Sequence, residues 1–194
     1  DVANQLGIKR MRHDVAKGKG VDTSIQKFES DLPRITEACT IIADYAAQYG
    51  ITTSIENHGH YIQAADRIQR IVSAVNRPNF RTTLDVGNFM CTDENPLISV
   101  KKNIAIASMI HIKDFYLRSF AIPPGEGWFR TEGGNWLRGA IAGYGDLPLE
   151  AILRVIKQSG YTGYLSIEFE GIEDCQLGTR QALQRVRQLW DSIE

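Results

Sequence analysis

Four short β-like segments of the sequence each end in an acidic or imidazole side chain that follows an apolar residue. These side chains belong to Glu56, Asp85, His111 and Glu168. If the segments are neighbouring parallel strands, their carboxyl ends meet at one edge of the sheet, with the side chains at the same height. Three carboxylates that converge without a cation would repel one another. Three oxygen ligands and one nitrogen ligand suit a divalent ion, so the pattern predicts one bound Mn, Mg, Co or Zn ion.

The elements that would position these side chains alternate between two kinds of segment. Short runs rich in apolar and β-branched residues predict strands, and longer runs with helical periodicity predict helices. The predicted strands cover residues 7–13, 52–57, 81–86, 108–112 and 164–169. The predicted helices cover residues 30–49, 60–76, 95–107, 148–159 and 176–193. We expect the first of these helices to begin at Ser30 or Asp31 as N-cap, with Pro33 in its first turn.

Strict alternation of strand and helix predicts a parallel sheet with helical crossovers, for which two architectures compete. A doubly wound sheet normally has a Gly-rich turn after its first strand, and the sequence contains no GxGxxG pattern. In a (β/α)8 TIM barrel, active sites form at the carboxyl ends of the strands, where the polar residues lie. The chain has 194 residues, whereas that barrel typically has about 250. We therefore predict a single α/β domain over residues 1–194 that holds the last five β–α units of an incomplete barrel, with the first three units absent.

Charge and composition argue against several classes of protein. The net charge is −1, from 22 Lys and Arg residues and 23 Asp and Glu residues, and no basic run stands out. Nucleic acid is therefore not an expected partner. No apolar run has the length of a transmembrane helix and no signal-peptide pattern occurs, which predicts a cytoplasmic protein with no membrane partner. Three widely spaced cysteines, Cys39, Cys91 and Cys175, form neither a disulfide framework nor a zinc-binding pattern.

Several segments of the chain resemble the sugar phosphate isomerase/epimerase family, which has the xylose isomerase-like TIM barrel. They are "IENHGHY", "TTLDVGNF", "MIHIKDF", "GYLSIEFEG" and, at the first strand, "LGIKRMRHD". The resemblance covers nearly the whole chain and implies one divalent metal ion bound by Glu56, Asp85, His111 and Glu168. In the ketose epimerase and hydroxypyruvate isomerase branches of that family, the two metal-bound glutamates also move the proton. The resemblance thus implies that Glu56 and Glu168 are the catalytic acid and base.

The chain departs from the ketose epimerase branch at two positions. That branch has a His three residues after the metal-binding Asp, where this chain has Asn88. It also has an Arg six residues after the metal-binding His, where this chain has Leu117, with Arg118 one residue further on. The general family is therefore supported better than the epimerase branch.

The expected function is that of a divalent-metal-dependent isomerase or epimerase of a sugar or sugar phosphate. Such an enzyme transfers a proton through a metal-stabilised enediolate, with one carboxylate removing the proton and a second returning it. One alternative is an inositol-type dehydratase, since dehydration also begins with proton removal. An apurinic-site endonuclease of the same superfamily would need a richer set of metal ligands and a basic face. A truncated, non-catalytic binding domain is the remaining alternative.

Further polar residues near the strand ends are candidates for contacts with a small carbohydrate substrate. The substrate-binding candidates are His58, Asn88, Lys113 and Arg118. His60 is expected at a helix start, and Asp114 and Glu170 could support the metal ligands. The long segment 115–146, rich in Gly, Trp and Arg, is expected to be a loop that either covers the substrate or has aromatic residues that anchor the loop or make a contact in a homo-oligomer.

Overall fold

A computed structural model describes residues 1–16, 22–119 and 121–194, and its central feature is a parallel sheet. Within these residues the sheet has five strands in the order β1-β2-β3-β4-β8. Each strand pairs in parallel with the next. The strands of this sheet are β1 (Arg10–Arg12), β2 (Thr52–Glu56), β3 (Phe80–Asp85), β4 (Ala107–Ile112) and β8 (Leu165–Ile167).

The order of the strands decides between the two architectures. A doubly wound sheet reverses its strand order at a switch point, whereas each strand here lies beside the one that precedes it in the parallel series. Sequential order with a helix after each strand is the arrangement of a (β/α) barrel. The prediction of an incomplete TIM barrel with five parallel strands is therefore confirmed.

A helix follows each strand of this sheet and buries one face against it, and a short helix with no buried residue precedes the first strand. They are α1 (Val2–Gln5), α2 (Ile25–Ala47), α3 (Ala65–Val75), α4 (Pro96–Asn103), α5 (Leu149–Gln158) and α6 (Cys175–Ser192). Short 3-10 helices cover Asn88–Thr92 and Ile104–Ile106. In α3 the buried side chains include Ile68, Ile71 and Val75, spaced as one helical face. Among the residues that the structure describes, no helix combines the length and apolar character needed to cross a membrane.

The predicted start of the first long helix is wrong. The helix α2 begins at Ile25, and its N-cap is Ser24, whose side chain accepts a hydrogen bond from the Lys27 amide at 3.2 Å. Pro33 therefore lies inside the helix and not in its first turn. Proline removes one backbone hydrogen bond from a helix interior. Packing of Phe28 and Leu32, both buried, maintains the helix through this position because tertiary contacts outweigh local preference.

The segment predicted as a long loop contains a second sheet. Within the described residues this sheet is antiparallel and three-stranded, in the order β5-β7-β6. Its strands are β5 (Asp114–Arg118), β6 (Phe129–Arg130) and β7 (Trp136–Ala140). The prediction failed because β6 is two residues long, too short to show alternation of apolar and polar residues.

Hydrogen bonds to the side chain of Asp114 connect this second sheet to the barrel. Its buried carboxylate accepts four backbone hydrogen bonds, from Gly143 at 2.9 Å, Gly145 at 3.0 Å, Leu147 at 3.1 Å and Phe115 at 2.8 Å. Burial raises the pKa of Asp114, and these four amide donors oppose that effect. One side chain thus fixes the path of the chain from β7 into α5.

Replacing Asp114 with Ala is expected to lower the free energy of unfolding by about 3 kcal/mol, because buried amide groups lose their acceptor. Chemical denaturation followed by circular dichroism measures the change. The matched control is Asp191→Ala at an exposed position of α6, where a change within about 0.5 kcal/mol is expected. Equal stability of the two variants would show that the four hydrogen bonds contribute nothing.

Candidate active site

Four side chains converge at the carboxyl ends of four adjacent parallel strands. Glu56 and Asp85 are the last residues of β2 and β3, His111 lies in β4, and Glu168 follows β8. Asp85 is directly opposite His111 in the pairing of β3 with β4. One ligand atom from each residue lies within 4.8 Å of the others. The structure therefore brings together the four residues that the sequence singled out.

Asp85 is held rigidly by its own neighbourhood. Its Oδ1 accepts hydrogen bonds from the Gly87 amide at 2.8 Å and the Asn88 amide at 3.0 Å. The side chain of Asn57 binds both backbone groups of Asp85, donating to its carbonyl and accepting from its amide, each at 2.8 Å. The Oδ2 atom is left facing the other carboxylates. Sequence reasoning did not assign a role to Asn57, although it lies next to Glu56.

Glu56 is paired with a residue that the sequence did not single out. Oε2 of Glu56 lies 2.7 Å from Nε of Arg12, which comes from β1. Oε1 of Glu56 accepts a hydrogen bond from Nδ2 of Asn88 at 3.2 Å. In the sequence, the only indication of a role for Arg12 was its place in the first strand segment. Its contact with Glu56, 44 positions away, depends on the pairing of β1 with β2.

Lys113 is a buried cation among the carboxylates. Its side chain is almost fully buried, and Nζ lies 3.3 Å from Asp85 Oδ2, 3.2 Å from Glu168 Oε1 and 3.3 Å from Glu170 Oε1. Nζ also donates to Oδ1 of Asn88 at 3.3 Å. Burial opposes the charge on Lys113, but the carboxylates led by Asp85 outweigh it and raise its pKa. Lys113 is therefore a permanent positive charge beside the site.

The ionisation of the cluster reflects crowded negative charge. Burial raises the pKa of Asp85 to about 7; Lys113 opposes this shift, and Glu168 and Glu56 add to it. Contact with His111 holds the pKa of Glu168 well below its usual range, although burial acts in the opposite direction. Burial also disfavours a charge on His111, but contacts with Glu168 and Glu56 outweigh it and raise the pKa to about 9. Nearby positive charge thus favours the ionised forms of Asp85 and Glu168.

The arrangement of donor atoms fits one divalent ion. Asp85 Oδ2, His111 Nδ1 and Glu168 Oε2 are buried, and none makes a hydrogen bond of good geometry within the described part of the chain. His111 Nδ1 lies 2.8 Å from Glu168 Oε2 and 3.6 Å from Glu56 Oε1. Ligands on opposite sides of a small divalent ion are about 4 Å apart. Buried donor atoms that lack hydrogen bonds of good geometry and converge at this spacing are typical of a candidate metal site.

A cavity of about 350 Å³ adjoins the cluster. Three of the predicted substrate-binding residues line it, namely His58, Asn88 and Lys113. Phe129 from β6 also contributes to the wall, so the second sheet shapes the cavity.

The fourth predicted substrate-binding residue lies elsewhere. Arg118 does not line this cavity as the described residues define it. Its guanidinium pairs with Asp146 Oδ2 at 3.1 Å and lies 5.8 Å from the ring centre of Trp128. These contacts account for Arg118 within the second sheet, and its role in substrate binding stays a prediction.

Fold and site together define a class of protein, and comparison with known families identifies it. The family described as the xylose isomerase-like TIM barrel matches residues 1–189. The chain therefore belongs to this family, as the strand-end motifs predicted.

Individual relatives are more distant. The chain is 26% identical over 151 residues to an inosose isomerase of Halalkalibacterium halodurans. The alignment covers 76% of this chain and 50% of that protein. It is 24% identical over 136 residues to an inosose dehydratase of Clostridium botulinum, covering 66% of this chain and 44% of that protein. The chain thus spans about half the length of these curated relatives.

A solved structure shares the fold. A xylose isomerase-like TIM barrel protein from Mycobacterium smegmatis, determined in complex with magnesium, superposes with a TM-score of 0.72 at 18% identity. The match covers 100% of this chain and 65% of that one. At this identity the similarity demonstrates the fold alone.

Proposed function

We propose that this protein binds one divalent ion through Glu56, Asp85, His111 and Glu168 and transfers a proton beside the carbonyl of a polyhydroxylated ketone. The observation that carries the proposal is the convergence of these four ligand atoms within 4.8 Å, beside a cavity whose wall includes Lys113, a contact of Asp85 and Glu168. Two of the four are glutamates, which can exchange protons with a substrate as well as bind a cation.

The relatives support a cyclic polyhydroxylated ketone as substrate. One is named as an isomerase and the other as a dehydratase, and both act on inosose, a six-membered ring ketone that carries hydroxyl groups. Isomerisation and dehydration both begin with removal of the proton on the carbon next to the carbonyl. A single site with one base and one acid can therefore serve either reaction, and an open-chain sugar remains within the same chemistry.

We propose a separate role for each of these residues. When bound, the divalent ion supplies a Lewis acid that polarises the substrate carbonyl. Glu168, whose side chain is 34% exposed, is the more accessible carboxylate and removes the proton. Glu56 is held by Arg12 and Asn88. It lies on β2, which β3 and β4 separate from β8, and it reaches the substrate from that side. There it returns a proton or protonates a departing hydroxyl group. Contact with His111 and the charge of Lys113 keep Glu168 ionised.

Solvent exchange tests the proposed function. Incubation of inosose with the purified protein and Mn²⁺ in deuterated water is expected to introduce deuterium next to the carbonyl, as followed by NMR. Dehydration would also produce an ultraviolet-absorbing conjugated ketone, whereas isomerisation would not. A parallel screen of open-chain ketoses identifies the substrate class. No exchange with any ketone in the presence of Mn²⁺, Mg²⁺, Co²⁺ or Zn²⁺ would overturn the proposal.

Ion binding is expected to stabilise the folded chain. At a free Mn²⁺ concentration of about 100 times the Kd, the free energy of unfolding should rise by about 2.7 kcal/mol, and a chelator should remove the gain. Asp85→Asn should lose most of the effect because it replaces an ionised ligand. Thermal unfolding with and without Mn²⁺ measures both results, with Asp191→Asn as the control. Equal stabilisation of Asp85→Asn and the wild type would contradict the assignment of the site.

A further inference from the structure

His60 has an unusual backbone conformation at the edge of the cavity. It follows Gly59 in the turn between β2 and α3, and φ is 62° for His60 and 78° for Gly59. Glycine adopts positive φ freely, whereas residues with side chains rarely do. Asn76 and Asp93 also have positive φ, and Asn, Asp and His are the residues with side chains that most often adopt it. His60 was expected at a helix start, and the structure places it in this turn ahead of α3 instead.

A buried glutamine holds His60 in this conformation. Oε1 of Gln63 accepts a hydrogen bond from the His60 amide at 2.6 Å, and Nε2 of Gln63 donates to the Asn88 carbonyl at 2.6 Å. Gln63 is 2% exposed. Asn88 in turn contacts Glu56 and Lys113. The turn that carries His60 is therefore fixed relative to the candidate metal ligands by a chain of hydrogen bonds.

The imidazole of His60 is available for a ligand. His60 lines the cavity together with His58 and Lys113. Within the residues that the structure describes, its ring makes no hydrogen bond or ion pair, and the hydrogen bonds of His60 use its backbone atoms. A neutral imidazole offers one N–H donor and one acceptor nitrogen, which complement a hydroxyl group. Unfavourable backbone conformations persist where the surrounding structure enforces them, and they cluster at ligand-binding sites.

We propose that His60 is a substrate-binding residue whose imidazole hydrogen-bonds a hydroxyl group of the polyol substrate, and that Gln63 positions it. The inference rests on the proposed function for the class of substrate.

Substitutions at residue 60 separate binding from folding. The probe is inositol, the reduced form of an inosose, which has no carbonyl and cannot react. In the purified protein with saturating Mn²⁺, His60→Gly is expected to weaken inositol binding about tenfold in calorimetry, as for loss of one hydrogen bond. Its denaturation midpoint should equal or exceed that of the wild type because glycine relieves the backbone. His60→Asn should stay within about threefold of the wild type, because Asn tolerates positive φ and retains a donor and an acceptor.

The outcomes of this experiment are distinct from those of the exchange test. If the wild type exchanges deuterium and His60→Gly binds inositol as tightly as the wild type does, the inference is overturned and the proposed function stands. If His60→Gly loses stability with unchanged binding, the role of His60 is structural and the inference is likewise overturned. If the wild type shows neither exchange nor inositol binding, both proposals fail. Unchanged Mn²⁺ affinity in His60→Gly would show that the loss concerns the polyol and not the ion.

Discussion

Replacing Glu168 with Gln is expected to lower turnover by about 10²- to 10⁴-fold, the usual contribution of a general acid or base. Glutamine has nearly the same shape as glutamate but cannot accept the substrate proton. Glu168 also contacts His111 and Lys113, so the substitution weakens the metal site at the same time. Glu56→Gln should show a similar loss, with an added cost in stability because the ion pair with Arg12 is broken.

Steady-state kinetics on the ketone found by the exchange test measures the effect, and metal content is determined for each variant. Glu150→Gln is the matched control: it makes the same chemical change at an exposed position of α5, where Glu150 pairs only with Arg154 among the described residues. Circular dichroism should show a retained fold in all three variants. Full activity in both Glu56→Gln and Glu168→Gln would refute their assignment as the acid and base.

Replacing Lys113 with Met is expected to destabilise the metal-free protein by about 3 to 5 kcal/mol, the usual cost of leaving a buried charge without its partner. Lys113 lies within 3.3 Å of carboxylate oxygens of Asp85, Glu168 and Glu170. Without it, Asp85 is fully buried beside two other acids. A divalent ion would neutralise two of these carboxylates, Asp85 and Glu168, so Mn²⁺ should stabilise Lys113→Met by more than it stabilises the wild type.

Denaturant unfolding with and without Mn²⁺ measures both parts of this prediction. The control is Lys102→Met, which removes an exposed ion pair with Asp66 and should cost no more than about 1 kcal/mol. Equal Mn²⁺ stabilisation of Lys113→Met and the wild type would show that Lys113 and the ion do not share the same negative charge. Lys113→Met should still lose activity with the ion bound, because Lys113 lines the cavity.

The sequence determined the parallel α/β fold and the candidate metal ligands because both leave local signals. Alternation in a strand fixes which side chains share a face. The end of each predicted strand then places Glu56, Asp85, His111 and Glu168 at one edge of the sheet. The structure brings ligand atoms of these four residues within 4.8 Å, although β2 and β3 end one residue earlier than predicted and β8 ends two residues earlier.

The tertiary structure alone decided which residues surround these four. Arg12 reaches Glu56 only because β1 pairs with β2, and Lys113 meets three carboxylates because β4 lies between β3 and β8. The sequence also did not predict the start of α2, the second sheet or the positive φ of His60. Each depends on contacts between distant parts of the chain, and such contacts are fixed by strand register and packing. Local preference carries no information about them, since tertiary packing overrides it where the two conflict.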